Sequence, residues 1–119
     1  MARAQLEFKL QCVIVDYLRY ALPPRAIWTA FPAGEARSVL TGVRLKRAGL
    51  ARGWPDIIIL YDGLFLGIEL KTPCGELSDA QALVGDGIVA NGGKFFVCRS
   101  LEDVIAALGG AGVPLRARP

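Results

Sequence analysis

Near the start of the chain Leu6, Leu10, Val13, Ile14, Tyr17, Leu18 and Ala21 recur at three-to-four spacing, which predicts a helix over residues 5–22. Pro23 and Pro24 end it, because proline lacks the N–H that a continuing helix needs. Residues 26–31 are rich in β-branched and aromatic side chains and predict a short strand stopped by Pro32. A weaker helical pattern covers residues 35–48, with Gly42 inside it and Gly49 just beyond. The strongest local signal follows: the apolar run 57–61, then Asp62-Gly63, then the run 64–71. An Asp-Gly pair between two β-prone runs predicts a two-residue hairpin, since both turn positions need positive φ. Ser78 and Gln81 have capping-box spacing and open a helix that reaches about Ala90, where Asn91-Gly92-Gly93 stops it. Residues 94–98 predict a strand, and Ser100 caps a last helix through about Leu108. The Gly-rich segment 109–119 reads as a flexible tail. The order is α-β-α-β-β-α-β-α, an α/β sandwich around a mixed sheet.

With 119 residues, the chain is expected to form one domain with a single core. Its hydrophobic fraction of 53% and mean hydropathy of +0.39 are high for that length, and point to apolar surface covered by a partner subunit. The most apolar stretch, 57–70, is broken by Asp62, Gly63, Gly67 and Glu69 and is too short to span a bilayer. Glu7 and Lys9 sit where a signal peptide needs an unbroken apolar core, so a cytoplasmic location is expected. Cys12, Cys74 and Cys98 are odd in number and far apart, and there is no histidine. Zinc sites and His-based catalysis therefore lose support together, and any metal here should be a hard cation bound by oxygen.

The hairpin turn fixes a register. With Tyr61 facing Leu64, each outward step pairs positions of constant sum, and Asp56 falls opposite Glu69. Such partners share a sheet face with Cβ atoms about 5 Å apart, and Lys71 joins that face two residues on. Two ionised carboxylates that close repel by roughly 3 kcal/mol at an effective dielectric near 20. A divalent cation between them would relieve this, with the Leu70 carbonyl as a further oxygen. A structural ion pair of Lys71 with either carboxylate would also relieve it. Glu7 falls on the helix face of Leu10, Ile14 and Leu18, where a lone carboxylate needs a partner. The metal site would supply one; a frayed first turn would instead leave Glu7 in solvent. Arg37, Arg44, Lys46, Arg47 and Arg52 lie close together with no acidic residue among them, within a net charge of +3. They form either a solvated helix face or a patch that grips nucleic-acid phosphates.

Gly53-Trp54-Pro55-Asp56, then Ile68-Glu69-Leu70-Lys71, then Gly75-Glu76-Leu77-Ser78-Asp79-Ala80-Gln81, resemble the core of the PD-(D/E)XK nuclease superfamily, and within it the VRR-NUC domain. The resemblance covers nearly the whole chain. It implies a restriction-endonuclease-like fold and hydrolysis of DNA phosphodiester bonds with Mg²⁺, for which Mn²⁺ can substitute. Asp56 and Glu69, helped by the Leu70 carbonyl, would bind the metal, and Lys71 would orient the attacking water or stabilise charge on phosphorus. Glu7 would match the acidic residue of the first helix. Gln81 would match the glutamine after the motif, although capping alone also accounts for it. One departure lies in Phe31-Pro32-Ala33-Gly34-Glu35, where relatives often carry a polar residue, commonly Asn, near the position of Ala33. Stand-alone domains of this type tend to be phage-type homodimers that cut branched DNA, including four-way (Holliday) junctions. A general or restriction-like nicking nuclease and a non-catalytic nucleic-acid-binding module are the alternatives.

Overall fold

The computed structural model describes residues 2–31 and 39–117, without the side chains of 39 and 40. Helix α1 (Arg3–Ala21) leads to strand β1 (Ile27–Ala30), helix α2 (Val39–Arg47) and the hairpin of β2 (Ile57–Tyr61) and β3 (Leu64–Leu70). Helix α3 (Asp79–Ala90), strand β4 (Lys94–Cys98) and helix α4 (Leu101–Gly110) complete the chain. The element order is the predicted one, and boundaries shift by a few residues.

The sheet order is β1-β2-β3-β4. Strands β1, β2 and β3 pair antiparallel, and β3 pairs with β4 in parallel, so the sheet is mixed as expected. Asp62 and Gly63 take φ of 50° and 79°, the double positive turn that the Asp-Gly pair predicts. The register Tyr61↔Leu64 through Ile57↔Ile68 follows from it.

One sheet face forms the main core. Ile57, Ile59, Leu66, Ile68 and Leu70 meet Ile14 and Leu18 of α1 and Val104 and Leu108 of α4, all fully buried. Each such side chain contributes about 1.5–3 kcal/mol over an exposed position. Helix α3 covers β3 and β4 on the other face, so residues 66–70 are buried on both sides. Over β1 and β2 that second face is exposed at Ile27 and Leu60, which pair there.

The last helix runs two residues further than predicted, into the segment expected to be flexible. Beyond it Val113 is buried, and the Arg116 N–H donates to the Ala21 carbonyl at 2.8 Å. None of the helices described is long and apolar enough to cross a membrane.

Candidate active site

One step past Ile57↔Ile68, the hairpin register sets Asp56 against Glu69 at the end of the sheet, on the α3 side. The Leu70 N–H donates to Asp56 Oδ2 at 2.8 Å, and the Phe31 N–H to the Asp56 carbonyl at 2.8 Å. Side chain and backbone of Asp56 are thus both pinned. Glu69 is only 2% exposed and its two oxygens have different roles. Oε2 lies 3.6 Å from Lys71 Nζ and accepts from Gln81 Nε2 at 3.0 Å. Oε1 is buried and has no hydrogen-bond partner.

Burial chiefly raises the Asp56 carboxyl above its ordinary value, against the lowering effects of the Leu70 N–H, the Glu69 carboxyl and the Lys71 charge. Glu69 is pushed up to about 8, first by burial and then by the Asp56 charge. Each carboxylate is therefore costly in its charged form, and a positive ion beside them would restore that form.

Gly53 sets the loop that carries Asp56 against α3. Its φ is +92°, and a Cβ there would collide with the backbone of Ala80 and Gln81. That contact brings the first turn of α3 to the carboxylates. Ser78 Oγ accepts from the Gln81 N–H at 3.2 Å, and Gln81 Oε1 accepts from the Ser78 N–H at 2.9 Å. The predicted capping box is therefore formed. Its other arm, Nε2, reaches Glu69, so capping and site contact are carried by one side chain.

Two contributors carried no sequence signal for the site. Arg99, just after β4, donates from Nη1 to the carbonyls of Thr72 at 2.6 Å and Gly75 at 2.7 Å. It pins the loop that follows Lys71, whose own N–H donates to the Cys98 carbonyl at 3.0 Å. Exposed Cys74 lies in that loop, whereas burial pushes the Cys98 thiol up to about 11. Gln11, buried on α1, donates from Nε2 to the Phe31 carbonyl at 2.8 Å.

Glu7 is half-buried in the second turn of α1, so the helix is formed there rather than frayed. It does not join the pair: among the described residues no three His, Cys, Asp or Glu side chains converge as a cation cage. Arg44, Lys46 and Arg47 lie in the last turn of α2, and they and Arg52 are exposed. Arg37 lies outside the described residues.

Asp56 and Glu69 bring only oxygen donors together, and Glu69 Oε1 is a buried acceptor without a hydrogen-bond partner. That chemistry fits a hard divalent ion held by one or two carboxylates with water and substrate phosphate completing its shell.

The family model for the VRR-NUC domain matches residues 1–102. No curated protein sequence matches the chain. Among solved structures, one described as a VRR_NUC domain protein superposes with a TM-score of 0.63 at 20% identity, over 87% of this chain and 84% of that one. It shares the fold.

Proposed function

Because the chain belongs to the VRR-NUC domain family, a nuclease-type domain acting on nucleic acid, we propose that it is a Mg²⁺-dependent DNA endonuclease whose site is Asp56, Glu69 and Lys71. The observation that carries this reading is the pairing of half-buried Asp56 with buried Glu69, with Lys71 Nζ 3.6 Å from one Glu69 oxygen and no hydrogen-bond partner on the other.

Asp56 and Glu69, with the Leu70 carbonyl, would hold the ion, and Mn²⁺ should replace Mg²⁺. When bound, it supplies Lewis acidity at the scissile phosphate and lowers the pKa of water. Lys71, seated against Glu69, is a fixed positive centre that orients the attacking water and offsets charge on the phosphorus oxygens. Gln81 keeps the Glu69 carboxylate turned so that Oε1 stays available. Glu7, from the opposite layer, would approach through water. No nucleophilic Ser or Cys with a base enters the scheme, so hydrolysis is direct.

The substrate in this reading is branched DNA such as a four-way junction. Exposed Arg44, Lys46, Arg47 and Arg52, with Arg37, would hold backbone phosphates without reading sequence. A homodimer would present two sites to symmetric strands. The open face of β1 and β2 supports it: Ile27, 71% exposed, and Leu60, 47% exposed, stand side by side there. Three free cysteines suit a reducing compartment, and the cytoplasm is the proposed location.

Labelled linear, flap and four-way DNA, incubated with Mg²⁺, test the reading. Cutting of the four-way substrate is expected to vanish in Asp56→Asn and Lys71→Ala while binding persists. Cleavage that survives either substitution, or that needs no divalent cation, would overturn it. Equal cutting of all three substrates would overturn the branched-DNA preference alone.

A further inference from the structure

Two buried side-chain polar atoms among the described residues have no hydrogen-bond partner, Glu69 Oε1 and Gln11 Oε1. Both are acceptors. A buried acceptor without a donor is unfavourable, and a native structure that keeps two of them calls for a missing donor or ion.

Gln11 is 7% exposed, in a stretch of α1 that otherwise presents Ile14 and Leu18 to the core. An apolar side chain would fill that position without leaving an oxygen orphaned. The amide orientation is fixed, because its Nε2 donates to the Phe31 carbonyl at 2.8 Å. Turning the amide over would set two acceptors against each other, so Oε1 cannot find relief that way. Phe31 in turn donates its N–H to the Asp56 carbonyl at 2.8 Å. Two hydrogen bonds thus connect the carboxamide of Gln11 to the residue that begins the carboxylate pair. Glu7 lies one helical turn away on the same face of α1.

We propose that Gln11 is a further oxygen donor of the cation site, its Oε1 accepting a hydrogen bond from the hydration shell of the ion held by Asp56 and Glu69. The inference rests on the cation-dependent reading given above. In it α1 contributes a neutral oxygen from beneath the strand end, complementing the two carboxylates on the α3 side. The same side chain, through Nε2, fixes the end of β1 from which Asp56 is held.

Mn²⁺ binding to the full chain, followed by isothermal titration calorimetry without DNA, decides the matter. Wild type is expected to bind and Asp56→Asn to lose binding. Gln11→Met keeps the volume but removes the oxygen, and should bind roughly tenfold more weakly, the usual lower bound for an outer-shell partner. Gln11→Glu restores an oxygen, now charged, but lacks the NH₂ that bonds Phe31; it should bind at least as tightly as wild type.

A mere strut between α1 and Phe31 would give another pattern: Gln11→Met would bind like wild type, or Gln11→Glu would bind as weakly as Gln11→Met. Either result overturns the inference. Should Gln11→Met fail to fold, Gln11→Glu decides alone, with weaker binding than wild type counting against the proposal. Absence of Mn²⁺ binding in wild type would remove the cation-dependent reading as well. Binding that Asp56→Asn abolishes and Gln11→Met leaves intact would remove only the role of Gln11.

Discussion

Glu69 holds a proton more tightly than an ordinary carboxyl because burial and the neighbouring Asp56 charge both disfavour its anion. In the folded, metal-free protein its proton leaves near 8, against an ordinary value of 4.5. Between those values the folded state binds more protons than the unfolded chain, and stability therefore falls as pH rises. Its contribution is full below about 4.5 and lost on passing 8, and Asp56, also raised, acts in the same direction. Thermal melts in EDTA should accordingly show a melting temperature that declines from pH 5 to pH 8. Added Ca²⁺ should reverse the decline, since a cation competes with the proton for the same oxygens. A melting temperature that rises over that range in EDTA would contradict the assigned burial of Glu69 beside Asp56. The pairing itself was legible in the sequence, because Asp62-Gly63 admits one register and that register counts out to Asp56 and Glu69. The division of labour between the Glu69 oxygens was not, nor was the orphaned oxygen of Gln11. Both depend on which way a planar group is turned, and that is set by partners distant in the chain.

Among the elements, α3 does most to shape the site, and its placement hinges on a backbone contact at Gly53. Alanine there would be strained twice, by a φ of +92° and by collision with Ala80 and Gln81. Gly53→Ala should cost about 1–3 kcal/mol from the strained dihedral alone. It should also push Gln81 off Glu69, so that cleavage falls further than stability. Urea denaturation and single-turnover cleavage on the same preparation would check this; a stable variant with full activity would refute the role given to the contact. Helix α2 makes a separate prediction, since the described side chains there are largely exposed and Arg44, Lys46 and Arg47 fill its last turn. Those positions also suit the negative end of a helix without any DNA. If they grip phosphates, each one replaced by alanine should reduce the slope of log affinity against log salt by roughly 0.9 on duplex arms. An unchanged slope would leave them as a capped, solvated turn. Sequence periodicity located α1, α3 and α4 well because each has a buried face, whereas α2, whose described side chains bury little, gave the weakest pattern, and the start predicted for it at residue 35 lies outside the described residues.

Across the whole molecule, burial is lopsided. One sheet face is sealed by α1 and α4, while among the described residues the other is covered over β3 and β4 only. Ile27, Phe31 and Leu60 are left exposed on that face, next to half-exposed Trp54. The high apolar content foretold surplus hydrophobic surface, but not its location, which follows from α3 crossing between β3 and β4 rather than lying over β1. A second copy seated there would bury the patch. Light scattering should then give a dimer mass for wild type and a monomer for Leu60→Asp, with the fold retained by circular dichroism. A wild-type monomer at micromolar concentration would rule out this mode of assembly.

The Arg99 clamp has a practical corollary. It anchors the backbone on both sides of Cys74, so a fluorophore attached to that exposed sulfur would ride on a short rigid tether immediately downstream of Lys71. Cys98, sealed and reluctant to ionise, will not compete for maleimide, and Cys12 needs only conversion to serine. The fold thereby offers a ready optical gauge of when a nucleic acid strand arrives and departs.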